Sequence, residues 1–243
     1  MKIDLHCHSE ASHDCKTPLQ HIIERCHFTG IHVQAITDHN QIWGAQNLQE
    51  LTKGDKELTI IVGEEISTSE GEIIGLFLTE RIPPRLSAQE TIQQIRSQGG
   101  VVLVPHGFDP FKHFRLHPET LAQIAKDVHI IEVFNAHISS PVYNRAALRW
   151  AEQHKKLKSA GTDAHTAAHV GSAWVETPRT DIRGPEDLLT ALSMGEVGGR
   201  WRHPARTFAS RMKDLALRTY QRERKKNTDK SLRSAKKSDT EPR

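Results

Sequence analysis

The sequence predicts an α/β fold, a closed or nearly closed barrel of strands and helices, and three observations carry that reading. Short apolar runs rich in Val and Ile alternate with amphipathic stretches. Six or seven such units fit ahead of a basic C-terminal end, the size expected of a parallel βα barrel. Histidines and acids gather at the ends of the apolar runs, the face where such barrels keep their chemistry. An open doubly wound sheet is the structural alternative.

The strands are read at Ile3–His8, His32–Thr37, Leu58–Val62, Ile73–Leu78, Val101–Pro105, His129–Phe134 and Leu157–Ala160. The helices between them carry their own start and stop signals. Thr17-Pro18 opens the first, and Gly30 stands just past its end. Ser87 with Glu90 three residues later forms a capping box for a helix that stops at Gly99-Gly100. Pro118 opens another helix, and Pro185, followed by Glu186 and Asp187, opens one ending near Gly195. Strands separated by helices predict parallel pairing with right-handed crossovers.

Composition bounds the class. The chain has 243 residues, 36% of them hydrophobic and 26% charged, enough for one large domain. No apolar run approaches the roughly 18 residues of a membrane span, so no membrane partner is expected. Met1-Lys2-Ile3-Asp4 places an acid where a signal peptide would carry its apolar core. Cys7, Cys15 and Cys26 are odd in number and fit no paired framework, which reads as reduced thiols and a cytoplasmic location. From Gln221 to Arg243 there are nine Lys/Arg and four Asp/Glu, so that stretch carries +5 and the rest of the chain −2. The expected organisation is a catalytic domain over residues 1–205, a helix over 206–220 and a disordered basic tail over 221–243. Such a tail suits non-specific contact with nucleic acid.

Histidine is the compositional outlier, with 16 copies. His6 and His8 flank Cys7, and a period of two points both imidazoles to one face. Asp38-His39 follows the second strand, Glu64-Glu65 the third, His106 the fifth and His137 the sixth. Asp163 and His165 follow the seventh, again two apart. Imidazoles and carboxylates converging at strand ends make a ligand shell for divalent ions such as Zn²⁺, Mn²⁺ or Fe²⁺, and no thiol is placed to join them. Any one of these histidines has the bland reading of a satisfied polar core residue; the joint pattern over at least five strand ends argues for a metal site.

The motifs Asp4-Leu5-His6-Cys7-His8-Ser9, Ile36-Thr37-Asp38-His39-Asn40, Val62-Gly63-Glu64-Glu65-Ile66-Ser67, Val104-Pro105-His106 and Gly161-Thr162-Asp163-Ala164-His165 resemble, in order, those of the polymerase and histidinol phosphatase (PHP) family. The similarity is to its short stand-alone members, some of which are phosphoesterases acting on nucleotides or short RNA. The resemblance implies a distorted (β/α)7 barrel with two or three divalent metal ions at the C-terminal ends of the strands. It puts His6, His8, Glu65 and Asp163 on one metal, Glu65 and His106 on a second, and Asp14, His39 and His165 on a third. Glu72 stands where many relatives have a metal-binding histidine, and a carboxylate there shifts preference toward harder ions. Asp38 and His137 are the catalytic candidates, and Asn40 and Arg145 the substrate-binding ones.

Such a cluster can present a metal-bridged hydroxide at neutral pH to a phosphate ester. No G-x-S-x-G elbow and no P-loop is present. The expected activity is a metal-dependent phosphoesterase acting on a small phosphate ester, foremost a nucleotide or short oligonucleotide. A metal-dependent carbonyl or amide hydrolase and a non-catalytic module that binds nucleic acid or a partner are the alternatives. Arg85, Lys112, Arg115 and Arg145 are candidate phosphate clamps, and Phe108, Phe111 and Phe114 with Lys112 and His113 make an aromatic and basic loop suited to stacking a base.

Overall fold

Among the described residues the chain folds around nine strands. β1 (Lys2–Asp4), β2 (Val33–Ile36), β3 (Thr59–Thr68), β4 (Gly71–Leu76), β5 (Val101–Val104), β6 (Ile130–Asn135), β7 (Leu157–Gly161), β8 (Ala173–Glu176) and β9 (Glu196–Gly199) form one sheet. Their order is β7-β6-β5-β4-β3-β2-β1-β8-β9. The helices are α1 (Leu19–Thr29), α2 (Trp43–Leu51), α3 (Ala88–Ser97), α4 (Pro118–Ile124), α5 (Pro141–Gln153) and α6 (Pro185–Ser193). The computed structural model describes residues 1–112, 114–178 and 181–204, and Met1–His203 form one unit. The expected helix over 206–220 and tail over 221–243 lie outside the described residues, as does His113.

The ring is nearly closed by the chain beyond β1. Leu5 N–H donates to Ala160 O at 3.2 Å, Asp163 N–H to His6 O at 2.8 Å and His8 N–H to Ala164 O at 3.2 Å. This continuation of the first strand therefore lies against the end of β7. At its start β1 pairs instead with β8, antiparallel, through Lys2↔Glu176 and Ile3↔Val175.

Parallel pairing holds for β1–β2, β2–β3, β5–β6 and β6–β7. It fails at β4, which runs antiparallel to both β3 and β5. The expectation of parallel pairing throughout is corrected there for a simple reason. β3 does not stop at Val62 but runs on to Thr68 and turns through Ser69 and Glu70 straight into β4, so no crossover helix separates them. Glu64 and Glu65 consequently sit inside a strand rather than after one.

Two of the predicted helix signals form as caps, while Pro18 stands one residue ahead of the first turn of α1, as its N-cap without a side-chain hydrogen bond. Gly30 adopts φ 68°, and the helix end donates to Cys26 O and His27 O. Ser87 and Glu90 form the reciprocal capping box of α3. Helix α2 lacks a comparable signal in the sequence, whereas Ser140-Pro141 opens α5 with an N-cap serine and a proline in the first turn. α2 starts after Ile42, whose side chain cannot cap, and Ser140 ahead of α5 accepts only a long 3.5 Å bond from Val142 N. Both are held by packing. Leu48 of α2 and Ala147 and Ala151 of α5 are buried with Ile22 of α1 and Ile92 and Ile95 of α3 in one apolar cluster. A second cluster joins Ile3, Leu5, Val33, Ile61, Ile74, Leu103 and Ile130 of the strands to Leu188, Ala191 and Leu192 of α6. The two clusters fix the strands, and so fix where their ends meet.

Candidate metal centre

Period two along the continuation of β1 turns His6 and His8 to one side, with their Nε2 atoms 3.2 Å apart. Glu65 comes from β3 to meet them: its Oε2 lies 3.5 Å from His6 Nε2, 3.4 Å from His8 Nε2 and 3.2 Å from His39 Nδ1. Its Oε1 lies 2.9 Å from His106 Nε2, at the end of β5. Asp163, past β7, places Oδ1 3.3 Å from His8 Nε2 and 3.7 Å from His6 Nε2. Glu72, on β4, reaches His39 Nδ1 at 3.4 Å and His106 Nε2 at 3.8 Å. Asp14 lies 2.8 Å from His165 Nε2 and 3.7 Å from His39 Nε2. All nine sequence-predicted ligand positions thus come together.

Four triads among them have ligand atoms within 4.8 Å of one another: His6–His8–Asp163, His6–Glu65–His106, His39–Glu65–Glu72 and His8–His39–His165. Glu65 belongs to two of them, and its Oε2 also adjoins His8. The strand ends that carry the site are strained. His106 has φ 25° and Asp163 φ 50°, left-handed values that cost roughly 1–3 kcal/mol each and cluster at functional sites.

The donor chemistry fits divalent cations. His6 Nδ1 lies 2.9 Å from Glu132 Oε1. An ionised carboxylate only accepts, so Nδ1 carries a proton and Nε2 is the nitrogen whose lone pair is available to a cation or a second proton. That lone pair faces Glu65, Asp163 and the ring of His8. His165 Nδ1 likewise donates to Asp163 O at 3.0 Å, which leaves the Nε2 lone pair against Asp14. Acceptors converging in this way need a proton or a cation between them. The set of imidazoles and carboxylates without thiols suits borderline and hard ions.

With protons alone, the charges resolve unevenly. Burial opposes the charged form of His6, yet Glu65, Glu132 and Asp163 outweigh it and hold its pKa well above the ordinary imidazole value. His8 is pushed down to about 3 by burial and by His165. Burial works against ionised Glu65 and Asp163, but His6 and His39 around the first, and Lys112 and His6 around the second, hold both well below the usual carboxylate range. Glu72 is pushed up to about 10 by burial and by the neighbouring charge of Glu65. A cation in the His39–Glu65–Glu72 triad would therefore displace a proton.

The four remaining candidates stand differently. Both oxygens of Asp38 are taken by Ser9, from its N–H and its hydroxyl, each at 2.6 Å. Burial raises the Asp38 carboxyl to about 6. Asn40 uses its amide on Ser67, accepting from the backbone N–H at 2.9 Å and donating to Oγ at 3.1 Å. Arg145 lies on the exposed side of α5. His137 donates Nδ1–H to Asp163 O at 2.9 Å, which leaves Nε2 a buried lone pair without a hydrogen-bond partner. Its pKa is lowered to about 4 by burial.

Two residues outside the predicted set hold the centre in place. Glu132 orients His6 and accepts from His106 N–H at 2.7 Å and Asn135 Nδ2 at 3.0 Å. Asn135 Nδ2 also lies 3.3 Å from Asp163 Oδ2. Glu132 is buried inside β6, at a position that reads in the sequence as one polar residue in an apolar run. A side chain at Gly161 would meet the Glu132 carboxylate and His6 Cβ, so that glycine is required by close approach.

An imidazole–carboxylate centre at the C-terminal ends of a nearly closed α/β barrel defines the class. A family model described as PHP-associated matches residues 141–197. An uncharacterized protein of Methanocaldococcus jannaschii is 37% identical over 191 residues, 77% of this chain and 75% of that protein. A 5′-3′ exoribonuclease of Haemophilus influenzae is 29% identical over 123 residues, 46% of this chain and 44% of that one. Among solved structures, a two-domain protein from Bacteroides vulgatus, described as containing a predicted PHP-like metal-dependent phosphoesterase, superposes with a TM-score of 0.67 at 17% identity. That match covers 82% of this chain and 65% of the other, so the chain spans less than two thirds of that structure. The chain belongs to the PHP family and has the fold of its metal-dependent phosphoesterases.

Proposed function

We propose that the chain is a metal-dependent phosphoesterase acting on a nucleotide or a short oligonucleotide. The observation that carries the reading is the position of Glu65, one carboxylate common to His6, His8, His39 and His106. His6, His8, Glu65 and Asp163 would hold one divalent ion, Glu65, Glu72 and His106 a second, and Asp14, His39 and His165 a third. Bound there, such ions lower the pKa of water and neutralise the charge developing on a phosphate oxygen.

The protein's own groups do the rest. Glu132 and the Asp163 carbonyl hold Nδ1–H of His6 and His165, so that Nε2 of each faces inward as the ligand nitrogen. His137 offers a neutral acceptor at Nε2. Asp38 acts as a positioning residue: with both oxygens on Ser9, it fixes the loop that follows His8. The exoribonuclease similarity supports a nucleic-acid substrate. Cytoplasmic location and a choice of Mn²⁺, Zn²⁺ or Fe²⁺ belong to the same proposal.

The test is a panel of phosphate mono- and diesters set against amides, with each metal supplied to the stripped protein. Ester hydrolysis that vanishes in Glu65→Ala, with its circular dichroism kept, is the expected result. Amide cleavage without ester cleavage would transfer the site to carbonyl chemistry, and nucleic-acid binding with no turnover would make the chain a binding module.

A further inference from the structure

The loop between β5 and α4 is held at both ends and in the middle, yet it turns aromatic rings outward. Asp109, buried, accepts from Phe111 N–H at 3.0 Å, from Ser139 N–H at 2.7 Å and from Ser139 Oγ at 2.7 Å. It thereby ties this loop to the one that leads into α5. Farther on, Glu72 N–H donates to Phe114 O at 2.7 Å, and His117 N–H to Glu70 O at 3.0 Å, which fastens the loop to the β3–β4 hairpin. A loop so anchored could bury its apolar side chains, but Phe111 is 73% and Phe114 64% exposed. Exposed apolar groups gathered on one such element mark a binding surface. Phe111 and Tyr143 of α5 meet in a T-shaped pair, with ring centroids 6.5 Å apart and planes at 61°, and most of the Phe111 ring stays open to solvent. The next residue, Lys112, reaches inward and donates to Asp163 of the metal centre. An aromatic face outside and an ammonium inside thus start from neighbouring Cα atoms about 3.8 Å apart.

We propose that Phe111, with Tyr143 at its edge, is a stacking platform for the base of the substrate nucleotide, and that Lys112 engages the phosphate to which that nucleotide is joined. The proposal rests on the phosphoesterase reading and narrows its substrate class. A base inside a helix has both faces covered by its neighbours, so the platform takes free nucleotides and unstacked ends of strands, with little preference among bases, because every base has a π-face. Asp109 is a positioning residue for this platform, acting through the loop rather than on the ligand.

The test has a binding arm and a turnover arm, both on the full chain. 2-Aminopurine riboside 5′-monophosphate should lose fluorescence on binding, as a stacked base does. Phe111→Ala should weaken that binding roughly 5- to 150-fold, the usual cost of one lost base–aromatic stack, and Phe111→Trp should restore it. Phe28→Ala, an exposed ring on α1, should leave it unchanged. In turnover, Phe111→Ala should lower kcat/KM for adenosine 5′-monophosphate by that factor relative to ribose 5-phosphate, and wild type should prefer a single strand to the duplex of the same sequence. Equal losses on both esters, or binding indifferent to Phe111, would overturn the platform while leaving the phosphoesterase reading intact. Quenching that depends on Phe111 with no ester hydrolysed under any metal would keep the platform and overturn the phosphoesterase reading.

Discussion

Replacing Glu132 by Gln changes one atom at a position that touches no proposed substrate group, yet the hydrogen bonds around it dictate a loss of metal affinity. The carboxylate accepts from His106 N–H at 2.7 Å and Asn135 Nδ2 at 3.0 Å on Oε2, and from His6 Nδ1 at 2.9 Å on Oε1. The backbone donor at His106 cannot be reversed, so the amide oxygen of Gln must face it. The amide nitrogen then faces His6, whose Nδ1 has to become an acceptor, and the proton moves to Nε2. A protonated Nε2 cannot ligate a metal. Loss of such an outer partner typically costs 10- to 100-fold in metal affinity, or about 1.4–2.7 kcal/mol. For a domain of this size that corresponds to a fall of about 3–11 °C in the Tm of the metal-loaded protein. Competition with a chromophoric chelator measures the affinity directly. Metal affinity within twofold of wild type, in a variant with unchanged far-ultraviolet circular dichroism, would refute the tautomer argument.

Other outcomes rest on the same geometry. Glu65→Ala should abolish turnover and release metal while the fold persists; full activity in that variant would remove Glu65 from its central role. Glu64, buried with one oxygen unpartnered, has its carboxyl raised from 4.5 to about 7 by burial. The folded chain therefore holds a proton that the unfolded chain has lost between those values. Stability from this group is full below pH 4.5 and declines as pH rises to 7, by about 3 kcal/mol. Glu64→Gln should accordingly gain stability relative to wild type as pH rises from 5 to 8, and parallel Tm curves would contradict this. Deleting residues 221–243 removes a net charge of +5; RNA binding should weaken and its salt dependence flatten, with turnover of a small ester unchanged. Lower turnover on that ester would make the segment part of the catalytic unit.

The sequence exposes the site more fully than the fold that carries it. His6-x-His8 and Asp163-x-His165 are legible because a spacing of two in extended chain has one outcome, and Glu65 because it stands beside an apolar run that could only be a strand. The antiparallel β3–β4 hairpin is not, since nothing in Leu58–Val62 says that the strand continues through two glutamates whose burial depends on partners far along the chain. α5 does carry a start signal, Ser140-Pro141, that is not among the expected helix starts. α2 carries no cap to announce it, and tertiary packing of Leu48 decides it. Glu132 is hidden for the same kind of reason: its partners, His6 and His106, are 126 and 26 residues away. Asp38 and Asn40 lie in the expected motif, but their hydrogen bonds to Ser9 and Ser67 emerge only once the loops are folded.

The most direct measurement is phosphate release from a small ester by the metal-stripped protein as Mn²⁺, Zn²⁺ or Fe²⁺ is returned in known equivalents. No turnover in the stripped protein, and a rise that levels off at two or three equivalents per chain, is the predicted result. Turnover that survives stripping, or none at any loading by a folded chain, would contradict a metal-dependent phosphoesterase built on Glu65.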